Sequence, residues 1–325
     1  MKYLNRKTAW MILAISATVQ TDAHAQDVNA LLSQWSVVTS GNLDMVNDIQ
    51  GRAYIGGDVV VPNSFNTATV GSAAIPATDI SLAVGGNIDA GGDLHVNGGS
   101  VVAGGAFLSN VIMNSGGSKT SNDAAGLPAS PAAQITSASQ YWSTLAANSG
   151  TAAAANGQLN FNCAQNSSLA VFNISANTMF NSGYQGFTLN PALATGDVII
   201  NVSGTSVDWS TGGFFSQFNT SAWDGRVLFN FYQATSVTLS GLIGGYVVAP
   251  NADVTEGNNI DGGVMAKDLT VDSEVDLPTS GDPSAWYGDL PNVAVPEAST
   301  GIFGMGALAM TAGLLSWEKR KSRPQ

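Results

Sequence analysis

Short runs of apolar and β-branched residues, broken by pairs of glycine, set the rhythm of this chain. The pairs close strand-like runs in Tyr54-Ile55-Gly56-Gly57, Ala83-Val84-Gly85-Gly86, Val102-Ala103-Gly104-Gly105 and Leu242-Ile243-Gly244-Gly245, while Gly262-Gly263 precedes Val264-Met265-Ala266. The step from Gly85 to Gly104 nearly equals that from Gly244 to Gly262, and pairs starting at 85, 91, 98 and 104 recur every six or seven positions. Glycine tolerates the positive φ of sharp corners. Corners at that interval, within a full repeat of roughly nineteen positions, predict a roughly triangular β-solenoid. A β-sandwich would place turns every 8 to 12 residues. The stretch 159–240 lacks the glycine pairs and fits either architecture.

One segment departs from the β pattern. Ser130 offers an N-cap, Pro131 suits a first helical position, and Ile135, Ala138, Trp142 and Leu145 recur as one apolar stripe. Asn148 and Gly150 then provide a stop. A second short helix is expected from Leu31 to Trp35.

Composition narrows the class. Asp, Glu, Lys and Arg together make only 10% of the 325 residues, against roughly 25% in an average soluble protein. Apolar residues, at 44%, supply a core, and 37 glycines feed the corners. The single cysteine excludes an intrachain disulfide framework. A formal charge of −12 argues against nucleic acid as a partner.

The charge is unevenly placed. Lys2, Arg6 and Lys7 precede the uncharged run 8–19, and Ala23-His24-Ala25 before Gln26 gives a small-x-small pattern. That order predicts a signal peptide over 1–25, with Ala23, Ala25 and Gln26 at the cleavage site and signal peptidase as its processing partner. At the other end, Val295-Pro296-Glu297-Ala298 leads into the uncharged stretch 301–317, then Lys319, Arg320, Lys321 and Arg323 as a stop-transfer cluster. Between these ends only Arg52, Lys119, Arg226 and Lys267 face 21 acidic residues, so the body carries −17.

The C-terminal pattern resembles the PEP-CTERM sorting signal of Gram-negative bacteria, with Ala298 where that motif usually has proline. The resemblance implies an exosortase as partner and transient anchoring in the inner membrane through a hydrophobic transmembrane helix in 292–325. The destination it implies is the cell surface or extracellular matrix.

The body, residues 26–291, resembles a second family. Trp35-Ser36-Val37-Val38, Gly51-Arg52-Ala53-Tyr54-Ile55-Gly56-Gly57-Asp58, the run from Val227 to Thr235, that from Gly244 to Ala252, and Gly262 to Lys267 are similar to the choice-of-anchor A domain of bacterial surface proteins. Gln50 stands where that family usually has glutamate. Some relatives are described as collagen-binding, so the resemblance implies adhesion in a loose sense. The glycine-cornered coils with an inserted helix are also similar to β-solenoid ice-binding proteins.

Catalytic chemistry is hard to place. The body has one histidine, His95, and the chain has no G-x-S-x-G elbow, HExxH, paired CxxC or Walker loop. Cys163 sits in a strand-like context and reads as buried filler. Asp253, Glu256 and Asp261 lie in an oxygen-rich turn and are the candidates for calcium. Trp209, Phe214, Phe215, Phe218 and Trp223 form an aromatic group that reads as core before contact surface. Thr67-Ala68-Thr69 is the one T-x-T, and no threonine ladder is visible at the coil spacing.

The expectation is therefore mainly β. A right-handed β-solenoid-like body has one long helix alongside, flanked by an N-terminal signal helix and a C-terminal hydrophobic helix. The expected role is non-enzymatic: an exported protein of adhesion or biofilm structure, contacting extracellular polysaccharide or another surface protein. An ice-binding solenoid and a polysaccharide-processing enzyme are the alternatives.

Overall fold

The structure, a computed structural model, describes residues 27–292 apart from 62–67, 155, 166, 181–182, 191–195, 211–212, 217–220, 279–281, 283 and 285. Helix α1 (Val28–Gln34) opens the body, capped by the Asp27 carboxylate, which accepts the Asn29 N–H. Coils then follow one another. Strands β1 (Val37–Thr39), β2 (Leu43–Met45) and β3 (Asp48–Ile49) form the first, and β4 (Ala53–Ile55), β5 (Val59–Val61) and β6 (Ala68–Val70) the second. Strands β7 (Ile80–Val84), β8 (Ile88–Ala90) and β9 (Leu94–Val96) form the third, and β10 (Ser100–Ala103), β11 (Val111–Met113) and β12 (Lys119–Thr120) continue the stack.

Helix α2 (Ala132–Ser143) interrupts the coils. After it come β13 (Gly150–Ala153), β14 (Gln158–Asn162), β15 (Leu169–Ser175), α3 (Ala176–Phe180), β16 (Gly186–Asn190), β17 (Asp197–Ser203), β18 (Ser206–Trp209) and β19 (Gly213–Ser216). The chain finishes with α4 (Ser221–Asp224), β20 (Val227–Asn230), β21 (Ser236–Leu239), β22 (Ile243–Glu256), β23 (Ile260–Val271) and β24 (Val275–Asp276).

The pairings sort these strands into three stacked parallel faces. The first runs β12–β10–β7–β4–β1–β23–β22–β20–β17–β15. The second runs β8–β5–β2–β23–β22–β21–β18. The third runs β11–β9–β6–β3–β24–β23–β22. A separate four-stranded sheet, β13–β14–β16–β19, contains an antiparallel pair, β13 with β14. Strands β22 and β23 are long because each turns corners and serves all three faces.

Spatial order does not follow chain order. Strand β23 pairs with β1, setting Val264 beside Val37. The coils before α2 thus form one half of the stack and those after it the other half, joined at a seam between the last coil and the first. The ends of the described chain meet there too: the Val28 N–H donates to Asn292 Oδ1 at 3.0 Å.

Alternation within each strand follows from period-2 geometry. On the second face Val207, Val237, Val254, Leu269, Leu43, Val59 and Ile88 stand in register, point inward and are buried. Coil length varies. The step from Val37 to its partner Ala53 is short, that from Leu82 to Val101 slightly longer, and that from Ala53 to Leu82 almost twice the first.

The first face is apolar on its outer side as well, and two helices cover it. Val38, Tyr54, Met265, Tyr246, Leu228 and Ile199 pack with Val28 and Leu32 of α1, Ile135, Ala138 and Trp142 of α2, and Trp286 and Leu290. Three asparagines fix α2 in place. Asn173, Asn201 and Asn230 stand in register on β15, β17 and β20. Asn201 Nδ2 donates to Asn173 Oδ1 at 2.9 Å and to the Trp142 carbonyl at 2.8 Å. Asn230 Nδ2 donates to the Ser139 carbonyl, and the Ser139 hydroxyl donates back to Asn230 Oδ1 at 2.6 Å.

A second side-chain ladder explains the glycine pairs. Asp268 Oδ1 accepts the Asn42 N–H at 2.7 Å, Asn42 Oδ1 that of Asp58 at 2.9 Å, Asp58 Oδ1 that of Asn87 at 2.6 Å, and Asn87 Oδ1 that of Ala106 at 2.9 Å. The glycines before these residues let successive corners approach. A Cβ on Gly85 would fall on the Gly56 carbonyl oxygen, and one on Gly86 on the Asp58 carboxylate. Neither glycine has positive φ, so at this corner the requirement is space and not left-handed backbone.

Several expectations are corrected. The helix alongside the body is real, but Pro131 sits at the cap position with helical dihedrals and Leu145 lies past the helix end. The body is not one solenoid wound in chain order: the β1–β23 seam and the four-stranded sheet break it. The N-terminal signal helix and C-terminal hydrophobic helix form no part of the described fold. Among the described residues no helix is long and apolar enough to cross a membrane. The longest, α2, has 12 residues, about 18 Å against a hydrocarbon core of about 30 Å. The expected transmembrane helix is not among the described helices, and the segment read as that helix, 301–317, lies outside the described residues. Transient inner-membrane anchoring, and signal peptidase and exosortase as partners, rest on those end segments and gain no support from the described fold. Ala23, Ala25, Gln26, Val295, Pro296, Glu297, Ala298, Lys319, Arg320, Lys321 and Arg323 lie outside the described residues.

Candidate functional site

With the first face covered, the second is left open, and its outer surface is polar. Inward valines and leucines force every second side chain outward. Asp208, Thr238, Thr255, Thr270, Asp44, Val60 and Asp89 make one row in continuous register. Ser206, Ser236, Asp253 and Asp268 make a second. Rungs lie about 4.8 Å apart and the two rows about 6.6 Å apart, the spacings of a parallel ladder. Three consecutive rungs of the first row are threonine.

Threonine's β-branch restricts χ1, so each hydroxyl and methyl is held in one orientation by the strand beneath it. Such a row offers repeated hydrogen-bonding groups with little freedom to lose on contact. Thr238, Thr255 and Thr270 are unevenly spaced along the chain, although they are neighbours in space. A search at one fixed repeat misses them, and the expectation of no threonine ladder is corrected. The tripeptides Val237-Thr238-Leu239, Val254-Thr255-Glu256 and Leu269-Thr270-Val271 carried the signal: threonine between inward positions on each strand.

The charge on this face is acidic with one cation. Lys267 reaches Asp253 at 2.8 Å and Asp268 at 3.0 Å. The lysine is exposed, so these pairs orient side chains more than they stabilise. Burial, with the nearby Asp272 charge, raises the Asp44 carboxyl above its usual range.

The calcium candidates are not brought together. Asp253 is on the open face, paired with Lys267. Glu256 stands in register with Leu239 and Val271 and points inward, fully buried. Its Oε2 accepts the Ser273 N–H at 2.9 Å, while Oε1 has no partner. Burial raises its carboxyl to about 8. Asp261 lies on the third face beside Asp276, and its charge adds to the burial that raises Asp224 to about 8. Among the described residues no three His, Cys, Asp or Glu side chains are arranged to hold a metal ion.

The remaining candidates fall into structural roles. His95 is on β9, its Nδ1 within 3.2 Å of Asn114 Oδ1 and in register with Thr69 and Ile112. Cys163 is buried, and burial raises its thiol to about 11, which suppresses the thiolate a nucleophile needs. Trp209 is fully buried against Phe180, Phe187 and Phe229 with centroids 4.9 to 5.5 Å apart, as an aromatic core. Phe218 and the side chains of Phe214 and Phe215 lie outside the described residues.

Comparison with known proteins gives one result. Residues 28–277 match a family described as "Putative Ice-binding-like adhesive domain". No curated protein and no solved structure matches the chain. The matched span runs from α1 through β24, so it takes in all three faces and both covering helices. The description is adhesive, in agreement with the expectation of a non-enzymatic body.

Proposed function

Because the chain belongs to the ice-binding-like adhesive domain family, we propose that its open face is the adhesive surface, displayed outside the cell in attachment or biofilm structure. The observation that carries this reading is the unbroken register from Asp208 to Asp89, which makes a flat, polar, uncovered array. The first face, by contrast, is buried under α1 and α2. The likeness to choice-of-anchor A surface proteins supports the same reading. Extended contact suits adhesion, because many weak contacts on a rigid face sum with little ordering cost.

Specific chemistry favours one second reading. The stacked Thr238, Thr255 and Thr270 present hydroxyls at a regular interval, which suits an ordered water or ice surface.

Both readings rest on the same residues and separate by assay. Bead or cell attachment is compared between the native chain and the Thr238→Tyr/Thr255→Tyr/Thr270→Tyr variant. Attachment should fall at least tenfold with an unchanged melting temperature. Equal attachment by the folded variant would overturn the assignment of this face. Thermal hysteresis lost in the same variant would select the ice reading.

A further inference from the structure

We infer that the corner between the third and first faces holds a separate binding site for a neutral sugar residue. Gln50, Gly71 and Asn97 each follow the last residue of a third-face strand, β3, β6 and β9, whose Ile49, Val70 and Val96 are in register. They therefore stack on consecutive coils. Two ladder spacings, about 10 Å, separate Gln50 from Asn97, and the middle position has no side chain. Gly71 has φ of 91°, a conformation that keeps glycine there. A Cβ there would turn toward the buried Ser81 side chain, and the residues around this corner line a groove of about 280 Å³.

The walls of the groove have one chemical character. Asp48 and Thr69, in register with each other, form one side, and Ser72 lies on the other. Gln50 Oε1 accepts the Leu277 N–H at 3.4 Å, and Asn97 Oδ1 accepts the Asn114 amide at 2.7 Å. Within the described chain, the carboxylate of Asp48, the hydroxyl of Thr69 and the Nδ2 of Asn97 make no hydrogen bond. Carboxylate, hydroxyl and carboxamide groups together both donate and accept, which matches the hydroxyls of a pyranose.

Charge and size restrict the ligand further. No lysine or arginine lines the groove. The nearby Arg52 is committed to Asp79 at 2.6 Å. Asp48 has Glu274 and Asp276 as acidic neighbours, so a phosphate or carboxylate ligand meets repulsion. A volume of 280 Å³ is below the usual 300–1,000 Å³ of drug-sized sites, enough for one ring. No aromatic side chain lines it, so the ring is held by its hydroxyl edge without stacking. A single ring held only by its hydroxyl edge binds weakly, and many copies on one surface would raise that by avidity.

The site lies away from the open face, so its success or failure is independent of the adhesive assignment. The test is an amide-resolved NMR titration of the full chain with glucose, galactose and mannose, and in parallel with glucose 6-phosphate. Saturable shifts from at least one neutral hexose, confined to amides around Gln50, Thr69, Ser72 and Asn97, are expected. Glucose 6-phosphate should give none at the same concentration. Asn97→Leu should weaken binding at least tenfold, and Ser72→Trp, which fills the groove from its rim, gives the same readout should the first variant fail to fold. No saturable shift from any neutral hexose, shifts mapping elsewhere, or stronger binding of glucose 6-phosphate would overturn the inference.

Discussion

Asn230 donates its side-chain amide to Asn201 Oδ1 at 2.8 Å, and both side chains are buried between the first face and α2. They donate to the Trp142 and Ser139 carbonyls of the helix, the first of which also accepts the Leu145 N–H. Asn230→Leu removes three bonds and leaves Ser139 and Asn201 short of partners. An unsatisfied buried group costs about 1–3 kcal/mol, so a loss of about 2–3 kcal/mol is expected. Urea melts of the variant check it, and a double-mutant cycle with Asn201→Leu should show strong coupling between the two positions.

The corner glycines give a sharper contrast. Gly85→Ala puts a methyl on the Gly56 carbonyl, whereas Gly150→Ala meets nothing within 4 Å. The first should destabilise by about 1–3 kcal/mol through overpacking. The second should change stability by less than about 1 kcal/mol. Equal melting temperatures for the two variants would contradict close packing at the corner.

Trp142 is fully buried in α2, and its indole N–H donates to the Pro291 carbonyl at 3.0 Å. Trp142→Ala should cost about 3–5 kcal/mol, the range for removing a large buried aromatic. Trp142→Phe, which keeps most of the volume and loses the hydrogen bond, should cost clearly less. Calorimetry on both variants separates packing from the bond to the C-terminal segment.

Stability should also fall as pH rises. Glu256 and Asp224 are both raised to about 8 in the folded chain, against a carboxylate range near 4 when unfolded. Between those values the folded state holds more protons, so stability decreases with increasing pH. The contribution is fully present below about pH 4 and lost by about pH 8. Glu256→Gln keeps the Ser273 contact and removes one proton from this balance. Its melting temperature should decline less than the native chain's between about pH 5 and about pH 9.

The legible parts of the fold were those written in local sequence. Ile135, Ala138 and Trp142 announced α2 by their spacing, and all three are buried as that stripe requires. The short helix expected at Leu31–Trp35 is α1, shifted toward the N-terminus. Glycine pairs located the corners correctly but for a different reason at Gly56, Gly57, Gly85 and Gly86, where neighbouring coils claim the space of a Cβ.

What escaped the sequence is non-local. Val37 and Val264 carry no pattern that says they pair, although they stand near opposite ends of the body's sequence. The threonine row stayed hidden because corners of unequal length put Thr238, Thr255 and Thr270 at unequal intervals. Glu256 read as one oxygen ligand in a polar turn. Strand alternation instead turns it into the core, where its neighbours in register are Leu239 and Val271.

The seam has a mechanical consequence. Both flanks of the described chain leave the body side by side, at Val28 and Asn292, beside the junction of β1 and β23 and not at either end of the stack. Tension applied through either flank enters the middle coils, under α1 and the Trp286–Leu290 segment. The outermost coils, β12 at one end and β15 at the other, lie off the line of pull. A pull applied at these two points loads the central ladder before it reaches the tips of the stack.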